Sequence, residues 1–62
     1  MTYFYNFFLS KTNNDMTLVL EIWKKESDGS IVFHGGKGVK NIADGFQIIE
    51  SMKESGAIVK RW

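Results

Sequence analysis

The chain has 62 residues, a net charge of +1 and no cysteine, which implies one small domain without disulfides or thiolate metal sites. A domain this size buries only ~60% of the surface its unfolded chain exposes, so oligomerisation or a partner is the support its composition leaves open. The single histidine excludes a His-rich metal cluster, the small charge argues against strong steering by nucleic acid or an anionic membrane, and no run approaches the ~20 apolar residues of a membrane helix.

Residues 2–11 (TYFYNFFLSK) are rich in Tyr and Phe and read as a first strand. The face made by Tyr3, Tyr5, Phe7 and Leu9 is continuously apolar; the other carries Phe4, Asn6, Phe8 and Ser10. No basic leader precedes this strand, so the expectation is a cytoplasmic chain without a signal peptide. Thr12-Asn13-Asn14-Asp15 is a tight-turn signal, because Asn tolerates positive φ. A two-residue Asn13-Asn14 loop places Leu9 opposite Leu18, Phe7 opposite Leu20 and Tyr5 opposite Ile22. A slip of one residue would break this apolar match, so the register is well specified.

Met16–Lys25 is the longest apolar run with strand chemistry and the expected middle strand of a meander. Asp28-Gly29 is the strongest hairpin signal in the chain. A two- or four-residue loop there adds Ile31 and Phe33 to the Leu18-Leu20-Ile22 face. It turns Val32 and His34 to the other face, with His34 opposite Trp23. Gly35-Gly36-Lys37-Gly38 then reads as the end of the third strand and a flexible crossing loop.

Asn41 is a candidate helix N-cap, with Asp44 near the positive helix end. From Ile42 to Ser55, the residues Ile42, Phe46, Ile48, Ile49 and Met52 gather largely on one helical side. Gly45 on that side permits close approach to the sheet, and Gly56 fits a C-terminal cap. Residues 57–62 (AIVKRW) have two readings. One is a short fourth strand, reached by a right-handed crossover and parallel to strand 1. The other is a tail packing Trp62 on the sheet. The expected fold is α+β over residues 1–62: a three-stranded antiparallel meander with one helix on one face (β-β-β-α), and the fourth strand, if formed, beside strand 1.

One helix leaves one sheet face uncovered. The pairings assign Phe4, Phe8, Val19, Glu21, Trp23, Val32 and His34 to that face. Exposed aromatic clusters of this kind mark contact sites, and Trp, Tyr and Phe are favoured interface anchors. His34, diagonal to Glu21, is the one imidazole available as a base, and no cysteine nucleophile accompanies it. The expectation is therefore a non-enzymatic binding or regulatory protein, of inhibitor or adaptor type, needing neither cofactor nor metal. It would dock this face on a protein partner or on a second copy of itself.

The alternative is nucleic-acid contact through the Gly/Lys segment and the helix N-terminus, using Lys37, Lys40 and Asn41. A strand-turn-strand followed by GGKGVKNIA at a helix start resembles the second half of a double-stranded RNA-binding domain, over Leu18 to Met52. The resemblance implies phosphate contacts from Lys37, Lys40 and Asn41. The chain departs from that family in opening with a strand where the family has a helix, and in carrying two lysines where the family has a dense cluster.

Overall fold

The computed structural model describes residues 1–62 apart from the side chain of Thr12. Strand β1 (Thr2–Thr12) and strand β2 (Asp15–Lys25) are joined by Asn13 and Asn14 at φ 50° and 70°. That left-handed pair is what a two-residue hairpin loop requires. Pairing is antiparallel and regular from Thr12 opposite Asp15 to Tyr3 opposite Lys24. Leu9 faces Leu18, Phe7 faces Leu20 and Tyr5 faces Ile22, as the apolar match demands.

The second hairpin is less regular. The Glu26 N–H donates to the Ser30 carbonyl at 2.7 Å, and the Gly29 N–H donates to the Glu26 carbonyl at 3.0 Å. These bonds close a loop of Ser27, Asp28 and Gly29, with Gly29 at φ 91°. The Asp28 carboxylate accepts from the Ser30 hydroxyl at 2.6 Å and the Ser30 N–H at 2.9 Å. Those two bonds hold its carboxyl below the usual aspartate range. An odd-numbered loop shifts the pairing by one residue relative to an even one. Lys25 accordingly faces Ile31, Lys24 faces Val32 and Trp23 faces Phe33. A bulge between Ile22 and Trp23 takes up His34 and restores the expected register, with Ile22 opposite Gly35 and Leu18 opposite Val39.

This corrects the placement of four residues. Ile31 and Phe33 lie on the Trp23 face, while Val32 shares the face of Lys24 and Tyr3. His34 also points to that second face and meets the Tyr3 ring edge-on at 5.2 Å.

The glycine segment is a strand and not a crossing loop: β3 runs from Ile31 to Val39. Gly36 pairs with Glu21 and Gly38 with Val19. The reason lies in β2, whose backbone groups on that side would otherwise be unpaired. Val39, opposite Leu18, packs against the core and anchors the strand's end.

Only Lys40 and Asn41 connect β3 to helix α1 (Ile42–Glu54). The Asn41 side-chain oxygen accepts the Asp44 N–H at 2.8 Å, the expected N-cap. Gly45 is buried against Phe7; a Cβ built there would lie 2.6 Å from Phe7 Cζ. At the other end the Gly56 N–H donates to the Lys53 carbonyl and the Ala57 N–H to the Met52 carbonyl. Gly56 adopts φ 100°. This double bond pattern around a left-handed glycine terminates the helix. β4 (Ile58–Arg61) then runs parallel to β1, giving the sheet order β3-β2-β1-β4.

The core lies between helix and sheet. Leu20, Ile22, Ile49 and Val59 are buried, with Tyr3, Tyr5, Phe7, Val39, Ile48, Met52 and Ala57 packed around them. The molecule is thin and long, 40 × 23 × 14 Å. Its radius of gyration is 12.4 Å, whereas a compact chain of this length would have ~11 Å. Its accessible surface is 4487 Å², above the ~4,100 Å² typical of its mass. A two-layer fold with one bare layer accounts for both excesses.

Candidate functional site

The bare layer is the face of the sheet opposite the helix. Strand pairing arranges its side chains in rows across the sheet. The central row is Phe33, Trp23, Phe4 and Lys60. On one side of it come Ile31 and Lys25, with Thr2 and Ile58 at the same end of β1 and β4. On the other side come Gly36, Glu21 and Asn6, then Trp62 beyond the end of β4. Gly38, Val19 and Phe8 follow.

The aromatic residues of the central rows touch. The Trp23 ring packs edge-on against Phe33 at 5.3 Å and against Trp62 at 4.6 Å. Phe4 lies 6.3 Å from Trp62. The Trp62 N–H donates to the Tyr5 carbonyl at 3.0 Å, which ties the C-terminal residue to β1 and directs its ring over the cluster. Of the two readings of residues 57–62 the strand therefore holds, and Trp62 still covers part of the face as the tail reading placed it. Trp23 is consequently half-buried, and its indole N–H is sealed without an acceptor. An unpaired buried donor costs on the order of 1–3 kcal/mol, a cost offset here by the edge contacts of Trp23 with Phe33 and Trp62.

The outward-facing groups are others. Phe33 remains 56% exposed, Trp62 55% and Ile58 53%, with Phe8 at 40%. In the middle of the face the Asn6 amide donates to Glu21 Oε1 at 3.0 Å, which fixes the carboxylate between the aromatic cluster and the Val19–Phe8 pair.

Of the residues assigned to this face from sequence, Phe4, Phe8, Val19, Glu21 and Trp23 are together on it. Val32 and His34 are not. His34 sits in a crevice with Tyr3, Met52 and Gly56 near the C-terminal end of α1, so it cannot pair with Glu21 across the sheet. Phe33, Ile31 and Ile58 were missed, and Trp62 was set on the sheet only by the tail reading. The signal for the first two is the Ser27-Asp28-Gly29 triplet, whose left-handed glycine favours an odd loop. The signal for the last two is the alternation of Ile58, Lys60 and Trp62 along β4.

The residues of the alternative reading cluster elsewhere. Lys37 pairs with Leu20 and therefore projects to the helix side, where it lines a groove with Lys40, Asp44 and Gln47. The Asn41 side chain is engaged as the helix cap, and the Asp44 carboxylate already occupies the first turn. Because Gly35–Gly38 is paired strand, no glycine loop is free there to wrap a phosphate.

Among the described residues no three His, Asp or Glu side chains converge as metal ligands, and no helix is long and apolar enough to cross a membrane. No protein-family model matches the chain, and no curated protein or solved structure matches it significantly.

Proposed function

We propose that this chain is a small non-enzymatic binding protein that acts by docking the open sheet face on another protein surface. The observation that carries the reading is the connected aromatic cluster Phe33–Trp23–Trp62–Phe4 on the face that no helix covers, with Ile58 and Phe8 exposed around it. Leu9, Met16, Ile42 and Phe46 are exposed on the helix side as well, but that side has a helix packed on it. A contiguous apolar patch of the first kind on a small domain marks a contact surface. Its anchors are aromatic, the residue class that dominates interface energetics. The anchors in this reading are Trp62 and Phe33, with Trp23 and Phe4 as the floor that holds them.

The test is site-specific photocrosslinking in cells expressing the chain. A benzophenone side chain replaces Phe33 or Phe8 on the open face, or Glu50 on the exposed side of α1. Discrete adducts from the face positions and none from Glu50 are expected. Equal labelling from all three positions, or none from any, would rule the face out as a docking surface.

A further inference from the structure

We propose that the occupant of the open face is a second copy of the chain, stacked face to face with its strands antiparallel to the first; this rests on the docking reading above. The two flanking rows of the face complement one another under one particular operation, while the central row, Lys60 included, stacks on its own copy. Consider a two-fold axis lying in the plane of the face, perpendicular to the strands, and passing through the Trp23–Phe4 row. It lays β2 over β2 in reverse direction and exchanges the two flanking rows. Lys25 of one copy then stands over Glu21 of the other, and the reverse pair forms by symmetry. Ile31 stands over Gly36, a position with no side chain, and Ile58 over Trp62. The pairings that define these rows are Trp23 with Phe33, Lys25 with Ile31, and Glu21 with Gly36.

A single strand therefore supplies both halves of a charge match. Glu21 and Lys25 lie two residues to either side of Trp23, ~7 Å from the axis on each side. Stacked sheets rotate by ~30° relative to one another, which displaces residues so near the axis by only a few Å. An axis parallel to the strands would instead bring Glu21 onto Glu21 if it ran along β2, or onto Asn6 if it ran between β1 and β2. The Asn6 amide holds the Glu21 carboxylate on this face rather than letting it swing into solvent. A net charge of +1 per chain produces no strong repulsion between copies.

Charge exchange tests this directly, with mass measured by sedimentation equilibrium at tens of micromolar chain. The wild type is expected at twice the 7.1-kDa chain mass. Glu21→Lys gives each copy two positive positions, and Lys25→Glu gives each two negative ones. Each variant alone is expected to weaken the dimer by ~100-fold or more, because like charges face each other twice. Mixing the two variants restores a heterodimer, and the double variant E21K/K25E restores a homodimer. If Glu21→Lys fails to fold, Lys25→Glu carries the test alone: monomer at low salt, dimer at about 1 M salt, where charges are screened beyond ~3 Å. A wild type that stays monomeric at about 1 mM overturns the proposal, as do single variants that dimerise like the wild type. A monomer whose face positions crosslink to a different protein sinks self-association and leaves the docking reading standing. A monomer without face adducts sinks both.

Discussion

The two faces of this sheet are built from the same strands and do opposite work. On the helix side, Leu20 and Ile49 are fully enclosed, and Gly45 lets helix and sheet approach closely enough to enclose them. On the open side the largest side chains pack only against one another, and Trp62, just beyond β4, is the nearest thing to a cover. Burial on the first face sets whether the chain folds. Exposure on the second sets what the folded chain can meet. Substitutions on the two faces should therefore separate stability from association.

The largest effect belongs to the covered face. Leu20→Ala removes a completely buried side chain and should cost ~2–5 kcal/mol. A core of this size supplies only ~3–5 kcal/mol in total, so the variant should be largely unfolded at room temperature by circular dichroism. A variant that melts like the wild type would show that stability comes from elsewhere. Trp62→Ala and Phe33→Ala form the counterpart on the open face. Each should lose ~2 kcal/mol or more of association, as anchor truncations do. Each should cost folding no more than the ~0.5–1.5 kcal/mol of an aromatic pair. Trp23→Ala will not discriminate so cleanly, because Trp23 is the half-buried floor on which both anchors rest.

Gly45→Ala sharpens the contrast from the helix side. Alanine would gain ~1 kcal/mol of helix propensity. Its Cβ, however, would collide with the Phe7 ring, which is itself packed against Tyr5 at 6.0 Å and Phe46 at 5.5 Å. Overpacking costs ~1–3 kcal/mol, so a net loss near 1 kcal/mol is expected in thermal melts. A stabilised variant would mean that the ring can step aside.

Much of this architecture was legible in the chain. The Asn13-Asn14 turn and the apolar alternation of residues 3–9 and 18–22 agree on one register, since any slip would turn Leu20 outward. The helix was marked at both ends by Asn41 and Gly56, and at its closest approach by Gly45. The open face was legible where it rests on that first hairpin, in Phe4, Phe8, Val19, Glu21 and Trp23. It was misread along residues 31–34. There the loop parity and the bulge are two shifts of opposite sign, and the pairing of Leu18 to Ile22 is the same with both as with neither. Hydrophobic patterning does not separate the cases, because Ile31, Val32 and Phe33 are all apolar and suit either face. Gly35–Gly38 was misread because propensity speaks against a glycine-rich strand. The unpaired edge of β2 and the burial of Val39 outweigh that preference.

That cancellation leads to the smallest expected effect. His34 is the residue the bulge absorbs: Trp23 pairs with Phe33, and Ile22 with Gly35. Deleting His34 would make Phe33 and Gly35 consecutive, so the ladder would close without changing any other pair. What would be lost is the edge contact with Tyr3 and the local twist a bulge adds. The deletion should therefore change stability by no more than about 1 kcal/mol, and the Trp23–Phe33 contact should persist as a nuclear Overhauser effect. Deleting Val32 instead leaves the bulge in place and drags Ile31 to the helix face, so it should weaken association through the open face. If the His34 deletion unfolds the chain, the bulge is required for the curvature of the sheet over α1 and is not simply a register correction.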